Sequence, residues 1–295
     1  MLQNYRMDIA YDGSRYSGWQ KQGNTENTIQ GRIETVLGKL LKEEIEIHGS
    51  GRTDAGVHAL GQVANFKTRP KLKADIIQES LNQSLPLDIR ILSVSEADPR
   101  FHARLNATRK HYHYQIDNHA VANIFDRKYL TRFSDRDYFG KLAMKHNQLL
   151  SSHVSDSPSP TAENKHVSCP QNNRQITYNL DDMNRAASML IGEHDFKSFC
   201  DNRHMKKSTV RILEQITIRE NESQILSFDF YGNGFLYHMV RILTGTLLEV
   251  GIGAKSPEKM PDIFHALNRQ AAGFTAPPQG LFLIEVEYNT NRINH

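Results

Sequence analysis

Apolar positions along the chain recur at two periods, and each change of period marks a new element. Arg6-Met7-Asp8-Ile9-Ala10-Tyr11 alternates like a half-buried strand and runs into the turn signal Asp12-Gly13. Thr28 offers a helix N-cap, and Ile29, Ile33, Val36, Leu37, Leu40 and Leu41 then recur at helical spacing. Ile45-Glu46-Ile47 and Gln62-Val63-Ala64-Asn65-Phe66 read as strands on either side of a glycine-rich loop. Lys73 to Leu85 predicts a second amphipathic helix through Ile76, Ile77 and Leu81, which Pro86 halts. Ile89 to Val94 alternates once more. Strand, helix, strand, helix, strand is the order of an α+β unit with its helices on one face of a sheet.

The second half repeats the theme with longer spacers. In Asn106 to Ile116 the side chains of Tyr112, Tyr114 and Ile116 share one face. Asp135 to Leu150 predicts a helix, and Ser151 to Gln175 then turns polar, with Ser155-Asp156-Ser157-Pro158-Ser159-Pro160 at its centre. So little apolar surface predicts a long surface loop. Asp181 is placed to cap a helix through Met183, Ala187, Leu190 and Ile191 that ends at Gly192, and Asp195 to cap another short helix. Val210 to Arg219 and Gln224 to Tyr231 predict paired strands. Ile242 to Val250 is apolar on nearly every side and therefore a buried helix. Arg241 stands at its start, and a guanidinium there is costly to bury unless it meets an anion.

Composition narrows the class. The 295 residues are 38% hydrophobic and 23% charged, a globular profile large enough for one large or two modest cores. No apolar run approaches the roughly 18 residues of a membrane span, and Met1 to Arg6 does not open a signal peptide, so a cytoplasmic location is expected. The two cysteines, Cys169 and Cys200, show no C-x-x-C spacing, which points to free thiols. His153, His166 and Cys169 match no metal-ligand spacing, and no metal is expected. A net charge of +3 allows an RNA partner without requiring one. Basic residues do gather between Arg100 and His113 and between Arg203 and Arg211, as a solvated face or a nucleic-acid surface would have them.

The chemistry concentrates in Gly49-Ser50-Gly51-Arg52-Thr53-Asp54-Ala55-Gly56-Val57-His58-Ala59. Its glycines let backbone approach a ligand, although a turn closed by Asp54 on its own backbone would also account for them. No Lys-Ser/Thr follows, so this is not a Walker A loop. Gly51 to Ala59, with Gln62-Val63 and Phe66, closely resembles the active-site motif of the tRNA pseudouridine synthase A family. Gly18-Trp19-Gln20, the basic run Ala107 to Tyr114, Gly192 to Phe199, Phe235 to Arg241 and Ala276 to Leu283 are similar to further elements of that family. The resemblance runs from Tyr11 to Tyr288 and is broken by a polar insertion at about 151–178.

This resemblance implies a pseudouridine synthase fold: two ferredoxin-like α+β halves whose antiparallel sheets join into one extended sheet around a central basic cleft. The halves would be residues 1–104 and 105–295. It implies Asp54 as catalytic nucleophile, Arg241 as its ion-pair partner, and Tyr112 as the ring against the target base. Arg52, which would help extrude the nucleotide and hold its phosphate, His58 and Leu281 complete the implied substrate contacts. It further implies a homodimer that needs no cofactor and converts uridines 38, 39 and 40 of the tRNA anticodon stem-loop to pseudouridine. The reaction breaks the ribose–uracil N1 bond, turns the extruded base and rejoins it through C5. An aspartate used for this must stay ionised; burial opposes that, and a guanidinium partner restores it and aims the carboxylate. Addition at C1′, addition at C6 and glycal formation all remain open. So do a non-catalytic RNA-binding protein of the same fold and a hydrolase of a small N-glycoside.

Overall fold

The computed structural model describes residues 2–23, 25–119, 121, 123–133, 137, 139–143, 176–202 and 205–289. The first elements are β1 (Gln3–Tyr11), α1 (Ile29–Leu41), β2 (Ile47–Gly49), β3 (His58–Thr68), α2 (Ala74–Ser84) and β4 (Ile89–Ala97). After them come β5 (Ala107–Asp117), α3 (Leu180–Leu190), β6 (Gly192–Asp195), β7 (Val210–Glu220), β8 (Ile225–Gly232), α4 (Met239–Gly251), α5 (Met260–Ala266) and β9 (Leu281–Tyr288). Among the described residues the strands form one sheet in the order β4-β1-β3-β9-β5-β8-β7-β6, with β2 beside β3.

Every pairing between these strands is antiparallel except one. β3 and β9 run parallel, His58 opposite Phe282 and Ala59 opposite Leu283. That short parallel seam joins strands drawn from residues up to 97 to strands drawn from residues 107 onward. It also ties the strand that follows the glycine-rich loop to the C-terminal strand.

The helices form where the periodicity places them. The Thr28 hydroxyl accepts the Gly31 N–H at 3.1 Å, and Ile29, Ile33, Leu37 and Leu41 fill the core beneath α1. α3 starts differently from the sequence expectation. Its N-cap is Asn179, whose side-chain oxygen accepts the N–H groups of Asp181 and Asp182, while Asp181 lies in the first turn, where its charge suits the helix dipole. The helix ends at Leu190, and Gly192, at φ 113°, opens β6 instead of closing the helix. Asp195 does cap, accepting the Lys197 N–H at 3.0 Å at the head of a 3₁₀ turn, Phe196–Phe199. Residues 139–143 are helical; the remainder of the expected 135–150 helix, the polar stretch 151–175, His153, His166 and Cys169 lie outside the described residues.

α4 is the spine of the second half. Of its residues only Arg241 escapes full burial. Gly245 makes room for the returning chain, since a Cβ there would sit 2.0 Å from the Phe274 carbonyl oxygen. The Thr246 hydroxyl accepts the Gly273 N–H at 2.8 Å, and the Glu249 carboxylate accepts that of Phe274 at 3.1 Å. The segment before β9 is thereby laid along α4, and the end of that segment reaches Arg241.

Candidate active site

The glycine-rich loop connects β2 to β3 and is gripped along one side by the chain that follows β1. The Trp19 N–H donates to the Thr53 carbonyl at 3.1 Å, and the Tyr11 and Thr53 hydroxyls meet at 2.7 Å. The Trp19 ring is buried against Gly49, where an added Cβ would come within 2.6 Å of it. Gly18, at φ 90°, lets its own backbone run against the Thr53 carbonyl. Trp19 is thus a packing residue that fixes the loop, and Asp54 stands on its accessible side with 18% of its side chain exposed.

Arg241, 187 residues further along, supplies the anion's partner. Its Nη1 lies 3.0 Å from Asp54 Oδ2, and its Nε donates to the Ala276 carbonyl at 2.7 Å. A charge-assisted pair of this kind is strong when water has little access, and only 13% of the arginine side chain is exposed. A second potential cation, His238, places Nε2 3.5 Å from the same carboxylate oxygen. Neither group holds Oδ1.

Tyr112 projects from β5 and packs edge-on against Phe235, the ring centroids 5.0 Å apart. It is nearly buried, and burial, with Tyr11 and the Asp54 charge nearby, pushes its hydroxyl well above the usual phenol range. The hydroxyl therefore stays protonated. Arg52 is exposed and steadied by Gln20, whose Oε1 accepts its Nε–H at 3.0 Å. On the other flank, Lys110 donates to the Ser50 carbonyl at 2.8 Å. Burial, together with Arg104 and Arg211, lowers its ammonium to about 8. Three cations gathered there suit a phosphate chain better than a neutral ligand.

Two expected substrate contacts occupy quieter positions. His58 begins β3 and is only 1% exposed. The Gly13 N–H donates to its Nδ1 at 3.2 Å, its Nε2 lies 3.0 Å from the Lys128 carbonyl, and its ring stacks on Phe282 with centroids 4.7 Å apart. With both nitrogens engaged by the protein, His58 stitches the seam between β3 and β9. β3 already begins at His58, four residues before the strand read from sequence, and the residue is buried there. Leu281 opens β9, nearly buried and opposite Tyr114, and has no polar role.

Sequence reasoning passed over His238, Asp201 and Lys110. The first stands directly before a largely apolar helix, a position where a polar residue is conspicuous. Asp201 carries no such signal, because only the fold brings it to His238. Among the described residues no three His, Cys, Asp or Glu side chains converge to hold a metal, and no helix is long and apolar enough to cross a membrane.

Residues 8–106 and 186–289 match the family model described as tRNA pseudouridine synthase. The chain belongs to the tRNA pseudouridine synthase family. A tRNA pseudouridine synthase A of Bacillus sp. (strain KSM-64) is 40% identical over 287 residues, which cover 97% of this chain and 100% of the relative. Proteins of the same name from Acetivibrio thermocellus and Thermoanaerobacter sp. (strain X514) are each 37% identical, again with 97% of this chain and all of the relative covered. The two matched family segments carry Asp54 and Arg241, and residues 107–185 between them include Tyr112. The family's reaction is an isomerisation, and the mixed α+β architecture with its single open sheet is the family's fold.

Proposed function

We propose that this chain isomerises uridine to pseudouridine in tRNA, with Asp54 as the nucleophile. The observation that carries the reading is the Asp54–Arg241 pair, a half-buried carboxylate held by a guanidinium that is itself clamped to Ala276. With the Arg241 guanidinium directed at Oδ2, Oδ1 is the oxygen for attack. The guanidinium aims the carboxylate at its target, and the reading calls for neither a metal nor an organic cofactor. Tyr112 stacks on the extruded base, Arg52 takes the phosphate of the flipped nucleotide, and Arg104, Lys110 and Arg211 follow the backbone. Leu281 closes the pocket's apolar edge.

The same reading places the target uridines at positions 38, 39 and 40 of the anticodon stem-loop, with a homodimer spanning the tRNA in the cytoplasm. It divides the chain into halves 1–104 and 105–295 about the β3–β9 seam, Asp54 coming from one and Arg241 and Tyr112 from the other.

The test is to incubate unmodified tRNA with the protein, digest it to nucleosides and separate uridine from pseudouridine. Pseudouridine in step with loss of uridine supports the reading, and mapping it places the sites. Tight, salt-sensitive tRNA binding with no pseudouridine would instead make the chain a non-catalytic RNA-binding member of the fold.

A further inference from the structure

The arrangement around Asp54 contains one more group than the nucleophile reading uses. His238 directly precedes α4 in the left-handed region, at φ 61° and ψ 3°. Only a few per cent of residues other than glycine adopt that conformation, and they concentrate at functional sites. Its side chain makes no bond to the helix's free N–H groups. Nδ1 lies 2.7 Å from Asp201 Oδ2, and Nε2 faces Asp54.

Asp201 is held from several sides. The Arg269 Nε donates to its Oδ1 at 2.9 Å, the Thr275 hydroxyl donates to its Oδ2 at 3.3 Å, and its backbone N–H donates to the Tyr237 carbonyl at 3.3 Å. Burial alone would raise the Asp201 carboxyl, but the bond from His238 and the charge of Arg269 hold it below the usual range. An ionised carboxylate can only accept, so the hydrogen of the imidazole must sit on Nδ1. In the neutral ring Nε2 then carries the lone pair and points at the reacting carboxylate. The Tyr237 ring stacks on the imidazole at 3.7 Å and blocks its rotation. The charged and titratable groups facing it are Asp54, Asp201, Arg241 and Tyr237.

We propose that His238 is the proton acceptor of the reaction, with Asp201 as its positioning residue; this rests on the reading of Asp54 as nucleophile. Once the base has rejoined ribose through C5, that carbon carries both the new C–C bond and its original hydrogen. Nε2 takes the hydrogen as a proton, and the C5–H electron pair re-forms the C5–C6 double bond. N1 gains a proton from solvent, and the imidazolium returns its own proton to solvent, so the protons balance. By then Asp54 has left the substrate as a carboxylate, and the imidazolium forms between two anions. Tyr112 is poorly suited to this step because its hydroxyl holds its proton so firmly.

The experiment uses His238→Gly, since glycine accepts a positive φ freely and leaves a space the size of an imidazole. Its single-turnover isomerisation of tRNA should fall by about 10²–10⁴-fold, the usual contribution of a positioned acid–base group. Its tRNA affinity and melting temperature should stay close to those of the wild type. Added imidazole should then restore the rate, rising with pH in proportion to the neutral imidazole present. A His238→Gly protein as fast as the wild type, or one slowed and not restored by imidazole, overturns the proposal. Asp54→Asn measured alongside separates the two claims. If it remains active the nucleophile reading itself fails, whereas an inactive Asp54→Asn beside an active His238→Gly removes only the role of His238.

Discussion

Arg241 and Ala276 hold each other twice: the Ala276 N–H donates to the Arg241 carbonyl at 3.1 Å, and the Arg241 Nε donates back to the Ala276 carbonyl at 2.7 Å. The guanidinium is thereby aimed before it reaches Asp54, and its planar fork serves both partners. Lysine cannot reproduce that geometry. Arg241→Lys should therefore lower the isomerisation rate by about 10²-fold, the effect of a small misplacement of reacting groups. Its tRNA affinity should change little. A rate near that of the wild type would show that charge alone suffices.

Gly245 governs the same contact from one turn further along α4. A methyl group there meets the Phe274 carbonyl, which belongs to backbone and cannot step aside as a side chain could. Gly245→Ala should destabilise the protein by about 1–3 kcal/mol through overpacking. It should also slow the reaction by displacing Ala276. Urea unfolding and single-turnover rates measured on one preparation check both effects.

The Tyr112 reading separates ring from hydroxyl. Tyr112→Phe keeps the ring and should bind and convert tRNA like the wild type. Tyr112→Leu should lose about 1–3 kcal/mol of stacking on the target base, read as weaker binding of a stem-loop containing the uridine. Loss of activity in Tyr112→Phe would return the hydroxyl to the chemistry.

Lys110 gives a pH signature whose sign runs opposite to that of an ordinary paired lysine. Its folded value is lowered from 10.5 to about 8. Below pH 8 both states are charged, and the cost of burying the ammonium is fully present. Between about 8 and 10.5 the folded protein releases the proton while the unfolded chain keeps it, so this group's contribution to stability rises with pH. Lys110→Met should abolish that rise. Denaturant midpoints of both proteins at neutral and alkaline pH provide the comparison.

Arg52 is exposed, and its assigned partner is a phosphate. Arg52→Ala should weaken tRNA binding and reduce the slope of log affinity against log salt by about one, as loss of a single phosphate contact does. An unchanged slope would leave Arg52 as a support for Gln20 alone.

Much of this was legible in the sequence because period reports burial. The strands and helices β1, α1, α2, β4, β5, β7, β8 and α4 stand within a few residues of where alternation or helical spacing put them. The conflict of an arginine at the head of an apolar helix demanded an anion, and the fold supplies Asp54. What stayed hidden depends on register and on distance along the chain. His58 could not be seen as a seam residue, because only the parallel pairing with β9 brings Phe282 to its ring. The Asp201–His238 contact joins residues 37 apart with no shared periodicity. The start of α3 was misplaced because asparagine and aspartate compete for the same capping role two positions apart.

The most direct measurement of the central claim is release of tritium from C5-labelled uridine in unmodified tRNA, with the wild type and Asp54→Asn compared at equal RNA occupancy. The account predicts release by the wild type and none by Asp54→Asn, with tRNA binding retained. Release by Asp54→Asn at a rate comparable to the wild type would contradict it, because an amide cannot serve as the carboxylate nucleophile.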